Sequence, residues 1–216
     1  MPPETRPRCG PPPSRLPSLT GTDARLLDEY LPPLPSRQRV YQQVAEALNE
    51  MEKSQDPVLV LLVAEWGEGK TSIYNARVKP WLEERGWRSL EARAATVMAH
   101  LASLRSRSER DPAYRLMAAL LAAGLEQEGM LAEHGAPDAA GSLREYVDRV
   151  LQSLVPRGGK LVVFLDELED LVASAREEEL AELVAGLVGI LNGDVEAVSA
   201  RCRGEGLHAG LLPYSG

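Results

Sequence analysis

Residues 58–72, VLVLLVAEWGEGKTS, join an apolar run to a glycine-rich turn, and this junction decides the expected fold class. The run at 58–63 has no polar alternation, which is typical of a strand buried on both faces of a parallel sheet. Residues 70–85 follow with a helical pattern, and Gly86 favours the end of that helix. The order of strand, turn and helix predicts an α/β fold, with a parallel β-sheet sandwiched by helices.

The turn matches the phosphate-binding pattern GxxxxGK[ST] at every position but the first, where Ala64 replaces glycine. In this pattern backbone N–H groups surround the phosphates, the lysine neutralises them, and the hydroxyl joins the Mg²⁺ shell. A small alanine can still turn the chain out of a strand, whereas Gly69 lies where the backbone comes closest to phosphate. The alternative interpretation is a glycine-rich turn that happens to end in Lys-Thr. The residues predicted to contact nucleotide here are Glu65, Trp66, Gly67, Glu68, Gly69, Lys70, Thr71 and Ser72.

A second apolar run, residues 161–167 with the sequence LVVFLDE, ends in two acidic residues. An aspartate at the carboxyl end of a strand beside a phosphate loop can hold Mg²⁺, which predicts Thr71 and Asp166 as metal ligands. The next residue, Glu167, can polarise an attacking water as a general base. The alternative interpretation is a strand that ends in a solvated acidic turn. The two motifs together predict binding and hydrolysis of ATP or GTP, with Glu167 and Lys70 as catalytic residues.

The rest of the chain alternates helices and strands. Asp111 predicts an N-cap and Pro112 the first turn of the helix that follows. Ser36 predicts the N-cap of the first helix, because the prolines in 26–36 disfavour helix there. Further segments are predicted as helix at 37–53, 96–104, 112–128, 142–154 and 177–191, and as strand at 87–93 and 207–212. Residues 1–25, rich in Pro and Arg, are expected to be disordered or extended, and residues 26–216 to form one nucleotide-binding domain.

Composition limits the classes of function. The net charge of −8 argues against a broadly basic nucleic-acid binder, although local patches stay open. No apolar run approaches the roughly 20 residues of a membrane helix, and no signal peptide is visible, so a cytoplasmic location without membrane contact is expected. Arg105, Arg107 and Arg110 could touch nucleic acid, but a solvated connector fits the acidic chain better. The two cysteines form no metal-binding pattern.

These motifs resemble P-loop ATPases of the AAA+ and STAND type, within the ASCE division in which the second strand ends in Asp-Glu. The loop EWGEGKTS resembles the phosphate loops of KAP-type ATPases. Residues 30–48, YLPPLPSRQRVYQQVAEAL, are similar to the segment that opens the ATPase domain of archaeal origin-recognition initiators. That resemblance implies adenine contacts within 31–37, including Leu34 and Arg37, and ATP rather than GTP. The positions that match the initiator pattern are Tyr30, Pro32, Leu34, Pro35 and Arg37.

The resemblance also shows departures. The helical lid and effector domain of such proteins are expected to have no counterpart before Gly216. The resemblance implies a first sensor near 207–216, with Ser215 and His208 as candidates. The expected function is a Mg²⁺-dependent ATPase of low turnover that couples its ATP or ADP state to assembly or conformational change. Candidate partners are a second copy of the chain, bound through the nucleotide site, and DNA. The alternative is a non-catalytic nucleotide-dependent switch or scaffold in a signalling or defence ATPase.

Overall fold

The computed structural model describes residues 35–54, 56–60, 70–107, 111–155, 159–196 and 198. No helix in these ranges combines the length and the apolar character that a membrane crossing requires. The elements in chain order are α1 (Pro35–Lys53), α2 (Lys70–Ile73), a π-helical turn (Tyr74–Val78), α3 (Lys79–Glu84), β1 (Arg88–Arg93), α4 (Ala94–Leu104), α5 (Pro112–Gln127), α6 (Leu131–His134), a 3₁₀ turn (Pro137–Ala139), α7 (Leu143–Leu154), β2 (Leu161–Asp166), α8 (Leu168–Ser174) and α9 (Glu177–Leu191).

Strands β1 and β2 pair in parallel over their full length, from Arg88 opposite Leu161 to Arg93 opposite Asp166. Parallel strands need a long crossover connection, and here α4, α5 and α7 supply it. Because the strands run in the same direction, their carboxyl ends lie together at one edge of the sheet. This edge is where Asp166 meets the residues that follow β1. The parallel pair with helical crossovers confirms the α/β class.

Helix α5 forms the centre of the core and packs against α4, α7, α9 and β1. Its residues are buried around almost the whole circumference from Ala113 to Leu125. The close contact with β1 requires a glycine, because a Cβ at Gly124 would lie 2.8 Å from Leu90 Cβ. The small side chains of this helix therefore let neighbouring backbones come near enough to exclude water.

Several predicted elements are confirmed. Helix α9 has the predicted bounds, and α5 begins with Asp111 accepting a hydrogen bond from the Ala113 N–H at 2.9 Å. The predicted N-cap at Ser36 is wrong, because α1 already begins at Pro35. A proline suits this position, since the first helical N–H has no partner to lose. Helix α8 was not predicted; it begins directly after Glu167.

The predicted strand at 58–63 is wrong in the part that the structure describes. Val58, Leu59 and Val60 are not in a strand, and their side chains are 43%, 56% and 50% exposed. Val58 and Leu59 line an apolar cavity of about 190 Å³ that β2 also lines. An apolar run predicts a preference for burial, but a strand also needs a neighbouring backbone to complete its hydrogen bonds. Residues 61–63 and the predicted last strand at 207–212 lie outside the described residues.

Candidate functional site

The two motifs predicted to meet do make contact. Thr71 lies in α2 and Asp166 ends β2, and Thr71 Oγ1 donates a hydrogen bond to Asp166 Oδ2 at 2.8 Å. Hydroxyl and carboxylate oxygens are ligands that suit Mg²⁺. Among the described residues, no group of three or more His, Cys, Asp and Glu side chains could hold a metal ion. Mg²⁺ commonly takes several of its ligands from phosphate and water, so one or two protein oxygens suffice to hold it.

An aromatic stack holds the start of this helix against β2. The rings of Tyr74 and Phe164 lie 3.9 Å apart between centroids, with an angle of 8° between their planes. Tyr74 is 2% exposed, and its burial raises the pKa of its hydroxyl to about 12. The stack lies at the π-helical turn, a distortion frequent near functional sites. The sequence did not predict this stack. The feature that could have indicated it is Phe164, the single phenylalanine of the chain.

The lysine of the phosphate motif faces an acid from α8. Lys70 Nζ lies 3.0 Å from Glu169 Oε1, and the side chains are 16% and 44% exposed, respectively. A hydrogen bond from the backbone of Glu169 and a second from Lys70 hold the pKa of the Glu169 carboxyl below its ordinary value. The sequence did not predict this pairing. The feature that could have indicated the pairing is the presence of an acidic residue three positions after Asp166.

Glu167 occupies a strained backbone position between β2 and α8. Its φ of 61° makes it the one non-glycine residue with positive φ in the described ranges. Such conformations cost about 1–3 kcal/mol and often occur at functional sites. Its N–H donates to Asp166 Oδ1 at 3.0 Å, and its carboxylate lies 4.0 Å from Arg93 Nε. Both side chains of this ion pair are about half exposed, so the Glu167 carboxylate is accessible to water.

The other predicted site residues are placed only in part. Ser72 is half-buried in α2. Arg37 lies in the first turns of α1, and its side chain is outside the described residues. The structure therefore brings together Lys70, Thr71, Asp166 and Glu167, and it leaves the predicted adenine contacts untested. Also outside the described residues are Leu34, Glu65, Trp66, Gly67, Glu68 and Gly69, together with the sensor candidates His208 and Ser215.

A lysine before β2 fixes helix α1. Lys160 Nζ donates to the carbonyl oxygens of Met51, Glu52 and Ser54 at 2.9, 3.2 and 2.7 Å. These carbonyls lie at the C-terminal end of α1, where the helix leaves acceptors without partners and carries partial negative charge. Lys160 thus ties α1 to the strand that ends in Asp166.

The arginines considered for nucleic-acid contact bind the protein itself. Arg105 Nε donates to Glu182 Oε2 of α9 at 2.9 Å, and Arg115 of α5 lies 3.0 Å from the other oxygen of that carboxylate. Arg107 donates to four backbone carbonyls, at residues 137, 138, 140 and 141. Arg105 is exposed and Arg107 is half-buried, and both guanidinium groups support the packing of α4. Arg110 lies outside the described residues.

The fold and the paired motifs together define an α/β domain in which the beginning of a helix meets an acidic strand end. A family model for novel STAND NTPase 1 matches residues 36–208, which is most of the chain. The chain belongs to this STAND NTPase family. Searches of the curated proteins and of the solved structures found no match.

Proposed function

We propose that this STAND-type NTPase module binds ATP with Mg²⁺ and hydrolyses it slowly, so that the nucleotide state controls assembly or conformation. The observation that carries the proposal is the 2.8 Å hydrogen bond between Thr71 and Asp166. This contact brings a hydroxyl and a carboxylate, two oxygen groups that suit Mg²⁺, together at a helix start and a strand end. The family membership supports nucleotide as the ligand.

In this proposal each residue has a separate role. Lys70 neutralises the β- and γ-phosphates, while the backbone of residues 65–71 surrounds them. Thr71 and Asp166 hold Mg²⁺, which neutralises charge on the phosphate oxygens when bound. Glu167 accepts a hydrogen bond from the attacking water and orients it in line with the bond that breaks. Leu34 and Arg37 contact adenine. The site lies on a complete P-loop domain of three layers, in which further strands beside β2 complete a sheet between two layers of helices.

Binding and turnover can be tested separately with point variants. Lys70→Ala is expected to abolish ATP binding in isothermal titration calorimetry, whereas Glu167→Gln should retain binding and stall phosphate release. Lys79→Ala is the matched control, because Lys79 follows in α3 and pairs with Glu91 at 2.7 Å. ATP binding by Lys70→Ala equal to that of the control would contradict the proposed phosphate site. Unchanged turnover in Glu167→Gln would remove that residue from the mechanism.

The second candidate function is a nucleotide-dependent switch or scaffold without turnover. The contact between Glu167 and Arg93 at 4.0 Å favours it, because Arg93 occupies the carboxylate that would otherwise orient the attacking water. Phosphate release measured across protein concentrations, with and without DNA, separates the two. Turnover that rises with concentration supports a site completed by a second copy of the chain, and turnover stimulated by DNA supports the initiator-like role. Binding without turnover under every condition supports the switch.

A further inference from the structure

We propose that Glu169 competes with the phosphates of the nucleotide for Lys70 and thereby sets how tightly the site binds ATP and ADP. The inference rests on the proposed function, since it concerns the lysine that is expected to bind phosphate. Lys70 Nζ and Glu169 Oε1 lie 3.0 Å apart, so the carboxylate makes direct contact with the ammonium. The lysine side chain is only 16% exposed, which limits the space around its charge.

The position of Glu169 allows it to leave the lysine. Its side chain is 44% exposed, and it belongs to α8, a helix of only 7 residues that packs on α4. A long, exposed carboxylate can turn into solvent without loss of buried contacts. Asp166 differs in this respect, because its carboxylate already accepts hydrogen bonds from Thr71 and from the Glu167 N–H. Glu169 is therefore an acid in direct contact with Lys70 that can exchange with an incoming phosphate.

The expected change in nucleotide affinity on removal of the Glu169 charge has two contributions. An exposed ion pair changes an equilibrium constant by up to a factor of about five, and nucleotide must break this one to reach Lys70. A carboxylate left close to bound phosphate also repels it, which in water adds a similar factor of about five at contact distance. Part of each term is lost to solvent screening at a side chain this exposed. Removing the charge should therefore raise nucleotide affinity by about tenfold.

The charge at Glu169 is removed with Glu169→Gln, which keeps the size of the side chain. Glu178→Gln is the matched control, because Glu178 is an exposed acid at the start of α9 and its loss changes the net charge equally. Dissociation constants are measured for ATP, ADP and adenosine, at low and at high salt. We expect Glu169→Gln to bind ATP and ADP about tenfold more tightly, with adenosine unchanged and with a smaller gain at high salt. Glu178→Gln should bind like the unaltered chain.

Four results would overturn the inference, and each points to a different cause. Equal ATP affinity in Glu169→Gln and the unaltered chain, while Lys70→Ala abolishes binding, would refute the competition and leave the proposed function intact. A lower melting temperature with unchanged affinity would make the ion pair a structural link between α2 and α8. Absence of ATP binding by the unaltered chain and by Glu169→Gln would refute the proposed function as well. A gain that persists in the Lys70→Ala, Glu169→Gln double variant would show that Glu169 acts without the lysine.

Discussion

The packing of α9 on α5 gives a sharp test of the fold through Gly186. A Cβ at this position would lie 2.6 Å from Leu116 Cβ, 2.8 Å from Leu116 Cδ2 and 2.8 Å from the backbone oxygen of Pro112. Gly186→Ala gains about 1 kcal/mol of helix propensity. Overpacking of a core costs about 1–3 kcal/mol, and the upper end applies because one neighbour is backbone and cannot rotate away. The net loss in the free energy of unfolding should be about 2 kcal/mol.

Urea denaturation and thermal unfolding measure this loss directly. For a chain of this size, about 2 kcal/mol corresponds to a melting temperature lower by about 4–8 °C. The Leu116→Ala, Gly186→Ala double variant is the internal control: it removes the contact with Leu116 Cδ2 and leaves those with the Cβ at position 116 and the backbone oxygen of Pro112. The double variant should therefore lose less stability than the sum of the two single changes, a coupling that a double-mutant cycle detects. A Gly186→Ala protein as stable as the unaltered chain would refute the close packing of the two helices.

Two further changes test the buried core and the attachment of α1. Tyr146 is fully buried, and its burial raises the pKa of its hydroxyl to about 12. Because the unfolded chain loses this proton near pH 10, Tyr146 should contribute a loss of about 1.4 kcal/mol per pH unit to the free energy of unfolding between pH 10 and 12. Tyr146→Phe lacks this contribution, so a parallel decline of both proteins in alkaline urea titrations would contradict the assignment. Lys160→Met keeps the apolar stem but loses three hydrogen bonds to the end of α1. It should lower the free energy of unfolding by about 2 kcal/mol and speed amide exchange in α1, and unchanged exchange there would show that the ammonium does not hold the helix.

The predictions from sequence succeeded where a local pattern has one physical meaning. Asp111 followed by Pro112 predicts a capped helix start, and the Asp111 carboxylate caps it in the structure. The run 161–167 predicts a strand ending in acids, and β2 ends at Asp166. The run 58–63 shows the limit, because Val58, Leu59 and Val60 are equally apolar yet lie outside any strand. A hydrophobic pattern is a property of one segment, whereas a β-strand needs a second segment whose backbone completes its hydrogen bonds.

The sequence by itself determined the α/β class, most helix bounds and the pairing of a phosphate motif with an acidic strand end. Only the tertiary structure decided which side chains touch. It brought Thr71 to Asp166, stacked Tyr74 on Phe164, and placed Glu169 against Lys70. These contacts join segments about 90 or more residues apart, and their geometry depends on how the crossover helices orient β2 relative to α2. Spacing along the chain carries no information about that orientation, because it is set by the packing of α5 and its small residues against the sheet.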